Sequence, residues 1–116
     1  MRVHTYLGNG FQEVIYQKAM AIEMTKAGIS FDREPDMDIH FYDEVIGTRR
    51  VDFFVENLIP VELKAITKLE HSNIAQGLNY LRVYKIGKGL LINFGASSLE
   101  VKRLRPTLKY KNHRPE

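Results

Sequence analysis

The sequence predicts an α/β sandwich, a mixed β-sheet flanked by helices, in the order helix, three strands, helix, strand and one further outer strand. Three observations lead there. Met37, Ile39 and Phe41 alternate with Asp38, His40 and Tyr42, the period of a half-buried strand. Two stretches, LGNGFQEVIYQKAMAIEMTKAG and HSNIAQGLNYLRVYKIGKG, carry helical signals and end close to glycines. Antiparallel strands followed by a crossover helix and another strand make the sheet mixed, with helices against its faces.

The first helix is expected from about Phe11 to Ala27, stopped by Gly28. Projected at about 100° per residue, Phe11, Ile15 and Ile22 form one apolar stripe. Tyr16, Met20 and Met24 form a second stripe, and Glu13 falls inside it. A helix apolar on two sides is expected to be covered on more than one side, so that Glu13 is not freely solvated. After the alternating strand, Gly47 is expected in or near a turn within DEVIGTRR. Two strand-like runs follow, RRVDFFVE and IPVELKAI, separated by the short NL region. The second helix has Ser72 or Asn73 as candidate N-caps, Gly87 near its end, and Ile74, Leu78, Leu81 and Tyr84 as its apolar face. GLLINFG reads as a buried strand and SLEVKRLR as an outer one. Residues 1–105 then make a single domain, and 106–116, without periodicity, a basic tail expected to be mobile.

A chain of 116 residues suits one domain with one hydrophobic core. At 44% hydrophobic and 27% charged residues it has the composition of an ordinary soluble globular protein. It contains no apolar run of the roughly 18 residues a membrane span requires. The start, MRVHTYLGNG, has no hydrophobic region of the kind that directs secretion. The lack of cysteine excludes disulfides, thiolate chemistry and Cys-ligated zinc, and fits a reducing cytoplasm. The net charge is only +3, but from Arg82 onward nine Lys/Arg face two Glu, while the residues before it carry a net −4. Such asymmetry fits a C-terminal third that meets a polyanion, and equally a solvated basic tail.

VDFFVENLIPVELKA is the most informative stretch, because Asp52, Glu62 and Lys64 sit among residues that read as buried strand. A buried charge costs several kcal/mol unless it is paired or binds a metal. Glu62 and Lys64 project from one face of their strand, about 7 Å apart. The direction of Asp52 depends on the intervening turn: a two-residue loop at Glu56-Asn57 sets it opposite Val61, whereas a three-residue loop, Glu56 to Leu58, or a bulge sets it across from Glu62. In the second register two carboxylates about 5 Å apart repel by roughly 3 kcal/mol at an effective dielectric near 20. Lys64 offsets part of that, and a divalent cation offsets more. Carboxylate oxygens are the ligands that Mg²⁺ prefers, with waters and a substrate phosphate completing its octahedron. An acid-x-Lys pair also arises by chance. LEVKRL supplies a second copy, Glu100-x-Lys102, read as an exposed edge-strand pair. Pro60, lacking an N–H, belongs at a strand end or bulge.

Two more constellations accompany this pair. Gln76 and Tyr80 share a face of the second helix, and Gly10, Glu13 and Tyr16 are spaced as GFQEVIY. Taken together these residues resemble the GxxExxY family: GFQEVIY matches its Gly-x-x-Glu-x-x-Tyr signature, and RVDFFVENLIPVELKA, AQGLNYL and GLLINFG match later blocks in order and distance. The resemblance runs from about Val3 to Arg105. It implies the PD-(D/E)XK nuclease superfamily, RecB-like branch, with a restriction-endonuclease-like αβββαβ sandwich. Members usually carry a helical segment before the Val-His-x-x-Leu-Gly block, whereas VHTYLGNG begins here at residue 3, as though the start were truncated.

The resemblance implies that Asp52, Glu62 and Glu13 hold Mg²⁺ or Mn²⁺, Glu13 directly or through water, and that Lys64 assists the attacking water. Gln76 and Tyr80 would line the site and help hold substrate, with Arg50 as a further phosphate contact. The expected activity is hydrolysis of phosphodiester bonds in nucleic acid, DNA favoured over RNA, with a homodimer or protein partner supplying further grip. The rival readings are a nucleic-acid-binding module using Lys102, Arg103 and Arg105 without catalysis, and a protein-interaction domain in which Glu62 and Lys64 form a buried ion pair. The four histidines show no metal-ligand spacing, and His4 is expected to make a structural hydrogen bond.

Overall fold

The computed structural model describes residues 1–107, so the tail expected to be mobile lies outside the described residues from position 108 onward. Its elements are α1 (Arg2–Leu7), α2 (Glu13–Lys26), β1 (Phe31–Arg33), β2 (Asp36–Phe41), β3 (Glu44–Arg50), β4 (Phe53–Val55), β5 (Ile59–Lys64), α3 (His71–Tyr84), β6 (Gly89–Asn93) and β7 (Glu100–Leu104). Five strands form the main sheet in the order β1-β4-β5-β6-β7. All neighbours are antiparallel except β5 and β6, which run parallel because α3 carries the chain across between them. The mixed α/β sandwich expected from the sequence is the one observed. Among the described residues no helix is long and apolar enough to cross a membrane.

Each sheet face has its own core. On one side α1 and α2 bury Val3, Tyr16, Met20 and Met24 against Phe53, Val61, Leu63, Ile92 and Phe94. On the other, α3 and the β2–β3 hairpin enclose Val51, Leu69, Leu81, Tyr84, Leu91 and Leu104. Of the two apolar stripes on α2, only that of Tyr16, Met20 and Met24 is covered. Phe11, Ile15 and Ile22 remain 48%, 39% and 57% exposed, against the expectation of cover on more than one side. The start of α2 is set by the loop before it. Gly8 and Gly10 have φ of 69° and 109°, the second far outside what a side chain tolerates. The buried Tyr16 hydroxyl then donates to Gly8 O at 2.6 Å and accepts from Phe11 N at 3.2 Å, while its ring stacks on Phe94.

The run RRVDFFVE, expected as one strand, is divided between two sheets. β2 and β3 form a separate two-stranded sheet, β3 ending at Arg50 and β4 beginning at Phe53. The ladder nevertheless keeps its register through the gap. Phe31 pairs with Val55, Asp36 with Arg50, and between them Glu34 N donates to Asp52 O and Val51 N to Pro35 O. β1–β2 and β3–β4 are thus the arms of one long hairpin, bent where Glu34 takes φ 57°. The turn of that hairpin is at Tyr42-Asp43. Gly47, expected at the turn, lies inside β3 opposite Ile39, where the register shifts. The second helix begins two or three residues earlier than Ser72 or Asn73 would imply. Its N-cap is Glu70, whose reciprocal capping box with Asn73 satisfies two free amides, and it stops at Lys85 in the left-handed conformation. His4 makes its expected hydrogen bond, to Ala96 O at 3.0 Å.

Candidate active site

The turn between β4 and β5 decides where the acids point. Glu56 and Asn57 both have φ 55°, Leu58 N donates to Val55 O at 2.9 Å, and Leu58 is the extra residue before Val55 pairs with Ile59. Phe53 opposes Val61, and Asp52, one residue before the ladder begins, bonds Leu63 N and neighbours the Glu62 carboxyl. This is the three-residue alternative, Glu56 to Leu58. Pro60 stands at the second position of β5, just past the extra residue. Val61 and Leu63 face the α2 core, while Glu62 and Lys64 face α3.

Asp52 is fixed at both oxygens. Its Oδ2 accepts Leu63 N at 2.8 Å and its Oδ1 accepts Gln17 Nε2 at 2.7 Å, while Gln17 Oε1 accepts Arg33 Nε at 2.9 Å. Gln17 is only 5% exposed, one of two buried polar residues among those described. Glu62 is turned toward β3, where its Oε2 accepts Arg49 Nη1 at 2.5 Å. Burial pushes the Glu62 carboxyl up to about 7; Arg49 pulls it down, and the neighbouring Asp52 adds to the rise. The same Nη1 donates to the Tyr84 hydroxyl at 3.1 Å, and the guanidinium lies 3.9 Å from the centre of the Tyr80 ring. Burial also raises the Tyr84 phenol.

Glu13 opens α2 at the solvent edge of this group. Partial burial raises its carboxyl, Asp52 raises it further, and Lys64 lowers it, so Glu13 lies within electrostatic range of both. Lys64 has no ion pair under 4 Å among the described residues. Gln76 and Tyr80 of α3 line a narrow pocket with Arg49, Glu62, Lys64 and Tyr84, whose free space of about 30 Å³ admits one or two waters. Arg50 lies elsewhere: it projects from the opposite side of β3, 67% exposed and 3.8 Å from Asp36. Lys102, Arg103 and Arg105 are all exposed. Glu100 is not a free edge-strand pair partner: it accepts Leu69 N and Asn93 Nδ2, each at 2.8 Å, and so ties down the loop before α3.

Among the described residues no three His, Asp or Glu side chains converge closely enough to hold a metal ion. The donor types suit a hard divalent cation, since two carboxylates adjoin and a third sits nearby. Glu62 is held by Arg49, and Glu13 stays exposed at the rim. Gln17 and Arg49 are the residues that sequence reasoning passed over. Gln17 could have been found as the polar member four residues beyond Glu13 in the buried stripe. Arg49 could have been found by counting back two from the apolar Val51 along an alternating strand.

A family model described as the PD-(D/E)XK nuclease superfamily matches residues 1–104. No curated protein and no solved structure matches the chain.

Proposed function

Because the chain belongs to the PD-(D/E)XK nuclease superfamily, we propose that it is a divalent-metal-dependent nuclease hydrolysing phosphodiester bonds of nucleic acid, DNA favoured over RNA. Within the superfamily we assign it to the GxxExxY family and the RecB-like branch, with residues 1–105 as one catalytic domain acting in the cytoplasm. The observation that carries this reading is that Asp52, just beyond the β4–β5 ladder and tied to Leu63 N of β5, neighbours Glu62 on the strand that also presents Lys64.

In this reading Asp52 and Glu62 hold the metal, Mg²⁺ or Mn²⁺, with Glu13 reaching it directly or through water. A bound divalent ion lowers the pKa of a coordinated water and neutralises charge on a phosphate oxygen. Asp52 arrives pre-aimed, because Gln17 Nε2 and Leu63 N each fix one of its oxygens. Lys64, without an ion-pair partner under 4 Å among the described residues, orients the attacking water and offsets charge as the phosphorane forms. Gln76 and Tyr80 flank the entry and steady the substrate strand. Arg50 sits farther out, able to touch a phosphate only at a distance from the acids. A domain this small offers limited grip, so a second copy or a protein partner would extend it.

The test is incubation of single- and double-stranded DNA and RNA with wild type, Asp52→Asn and Lys64→Ala in Mg²⁺ or Mn²⁺, circular dichroism verifying the fold. Cleavage by wild type alone supports the reading; equal cleavage by all three, or none by any, overturns it. The Arg49–Glu62 ion pair favours one rival, a module that binds nucleic acid without cleaving it. That rival requires salt-sensitive binding that survives full chelation of divalent ions.

A further inference from the structure

Arg49 has the properties of a second working cation rather than a structural one. Its side chain and that of Glu62 are 30% and 23% exposed, so their contact is partly shielded from water. Three groups hold the guanidinium: the Glu62 carboxylate, the Tyr84 hydroxyl and the face of Tyr80. Only the first is charged, and the other two remain if Glu62 turns away. A guanidinium has five N–H donors, and the two contacts through Nη1 leave most of them unused. Tyr80 and Gln76, which flank it, line the pocket in which Lys64 also stands.

Formal charge points the same way. Glu13, Asp52 and Glu62 against Lys64 and Arg49 leave the group one negative charge in excess. A divalent ion would convert that to one positive charge, the amount a phosphodiester neutralises. Arg49 holds Glu62 Oε2, so the ion and Arg49 would contend for that carboxylate.

We propose that Arg49 is the resident counter-cation of the acidic site: it clasps Glu62 until a divalent ion takes that carboxylate, and then, still seated on Tyr80, donates to a substrate phosphate oxygen. This rests on the nuclease reading and adds to it a residue that couples metal loading to phosphate capture.

The experiment is calorimetric titration of Mn²⁺ at pH 8 and low salt into wild type, Arg49→Met and Glu62→Gln, with matching melting temperatures verifying the fold. Arg49→Met should bind Mn²⁺ about tenfold more tightly than wild type, equivalent to ~1.4 kcal/mol, and Glu62→Gln should bind it more weakly than wild type. A labelled single-stranded DNA oligonucleotide is then titrated with Mn²⁺ present, in a Lys64→Ala background. There Arg49→Met should lower its affinity about tenfold. If Arg49→Met does not fold, Arg49→Gln makes both comparisons. Mn²⁺ binding by wild type that is unchanged or weakened by the loss of Arg49 overturns the clasp and leaves the nuclease reading standing. Absence of Mn²⁺ binding in every variant overturns both.

Discussion

Replacing Gln17 by leucine removes the hydrogen bond that orients Asp52 while leaving the packing volume nearly unchanged. Gln17 is 5% exposed and donates at 2.7 Å to a carboxylate oxygen. A hydrogen bond to a charged group contributes about 1.5–3 kcal/mol, and a leucine buried in its place returns a fraction of that. Arg33, the other partner, is exposed and turns to water at little cost. The net expectation is a loss of about 2 kcal/mol, which at a urea dependence of about 1.5 kcal/mol per molar lowers the unfolding midpoint by roughly 1.3 M. The loss must belong to the pair. In an Asp52→Ala background the same Gln17→Leu change should cost under about 0.5 kcal/mol, leaving a coupling of about 1.5 kcal/mol. Lys18→Ala, on the exposed side of α2, is the control. Equal costs in the two backgrounds would refute the argument that Gln17 acts through Asp52, whatever their size.

Two further expectations concern pH and backbone approach. Glu62 titrates at about 7 in the folded chain against an ordinary 4.5, so between those values the native state holds a proton that the unfolded chain has released. Stability should therefore fall as pH rises through that window, by a penalty of order 3 kcal/mol that is complete above pH 7; Glu62→Gln should flatten the slope of melting temperature against pH, and an unchanged slope would mean another group is responsible. Divalent-ion affinity should rise over the same range, because the ion displaces that proton. At Gly95, an added Cβ would lie 2.3 Å from Ile66 O and 2.4 Å from Ile66 N. Gly95→Ala should destabilise the fold by about 3 kcal/mol or more in urea unfolding, since backbone cannot rotate aside as a side chain can; a change under 1 kcal/mol would contradict the close approach.

The helices and buried strands were legible because their signals are local. Gly28 ends α2, the Tyr16-Met20-Met24 stripe faces the sheet, and GLLINFG reads as a strand buried on both sides. What eluded the sequence depends on contacts between distant segments. β1 spans three residues and exists through its pairing with β4, and α1 is only six residues long. The split of RRVDFFVE follows from a bend in the partner segment at Glu34-Pro35, invisible in the run itself. At the site, the acids and Lys64 could be named from type and spacing, but the loop length that aims Asp52 had two readings. The φ values at Glu56 and Asn57 and the extra Leu58 were needed to choose. Arg49 and Arg50 differ by one position, and period-two alternation alone decides which enters the pocket.

The bent hairpin also bears on the order in which the molecule assembles. Its rungs join residues close in sequence, so they close short loops with a small entropic penalty. Those rungs hold Arg49 within the β2–β3 arm and Asp52 at the bend itself, opposite Glu34. The parallel β5–β6 pairing must wait for α3 to fold and cross over. A chain partway through folding therefore already fixes the spacing of Asp52 and Arg49, whereas Tyr80 on α3 and the pairing of β6 with β5 arrive later. Pulse-labelled hydrogen exchange should find the Glu34 and Val51 amides protected before that of Phe94, which bonds to Lys64 O across the late junction. The reverse order would place nucleation at the parallel pair. If the hairpin does form first, substitutions along its rungs will slow folding, and those at the β5–β6 seam will chiefly hasten unfolding.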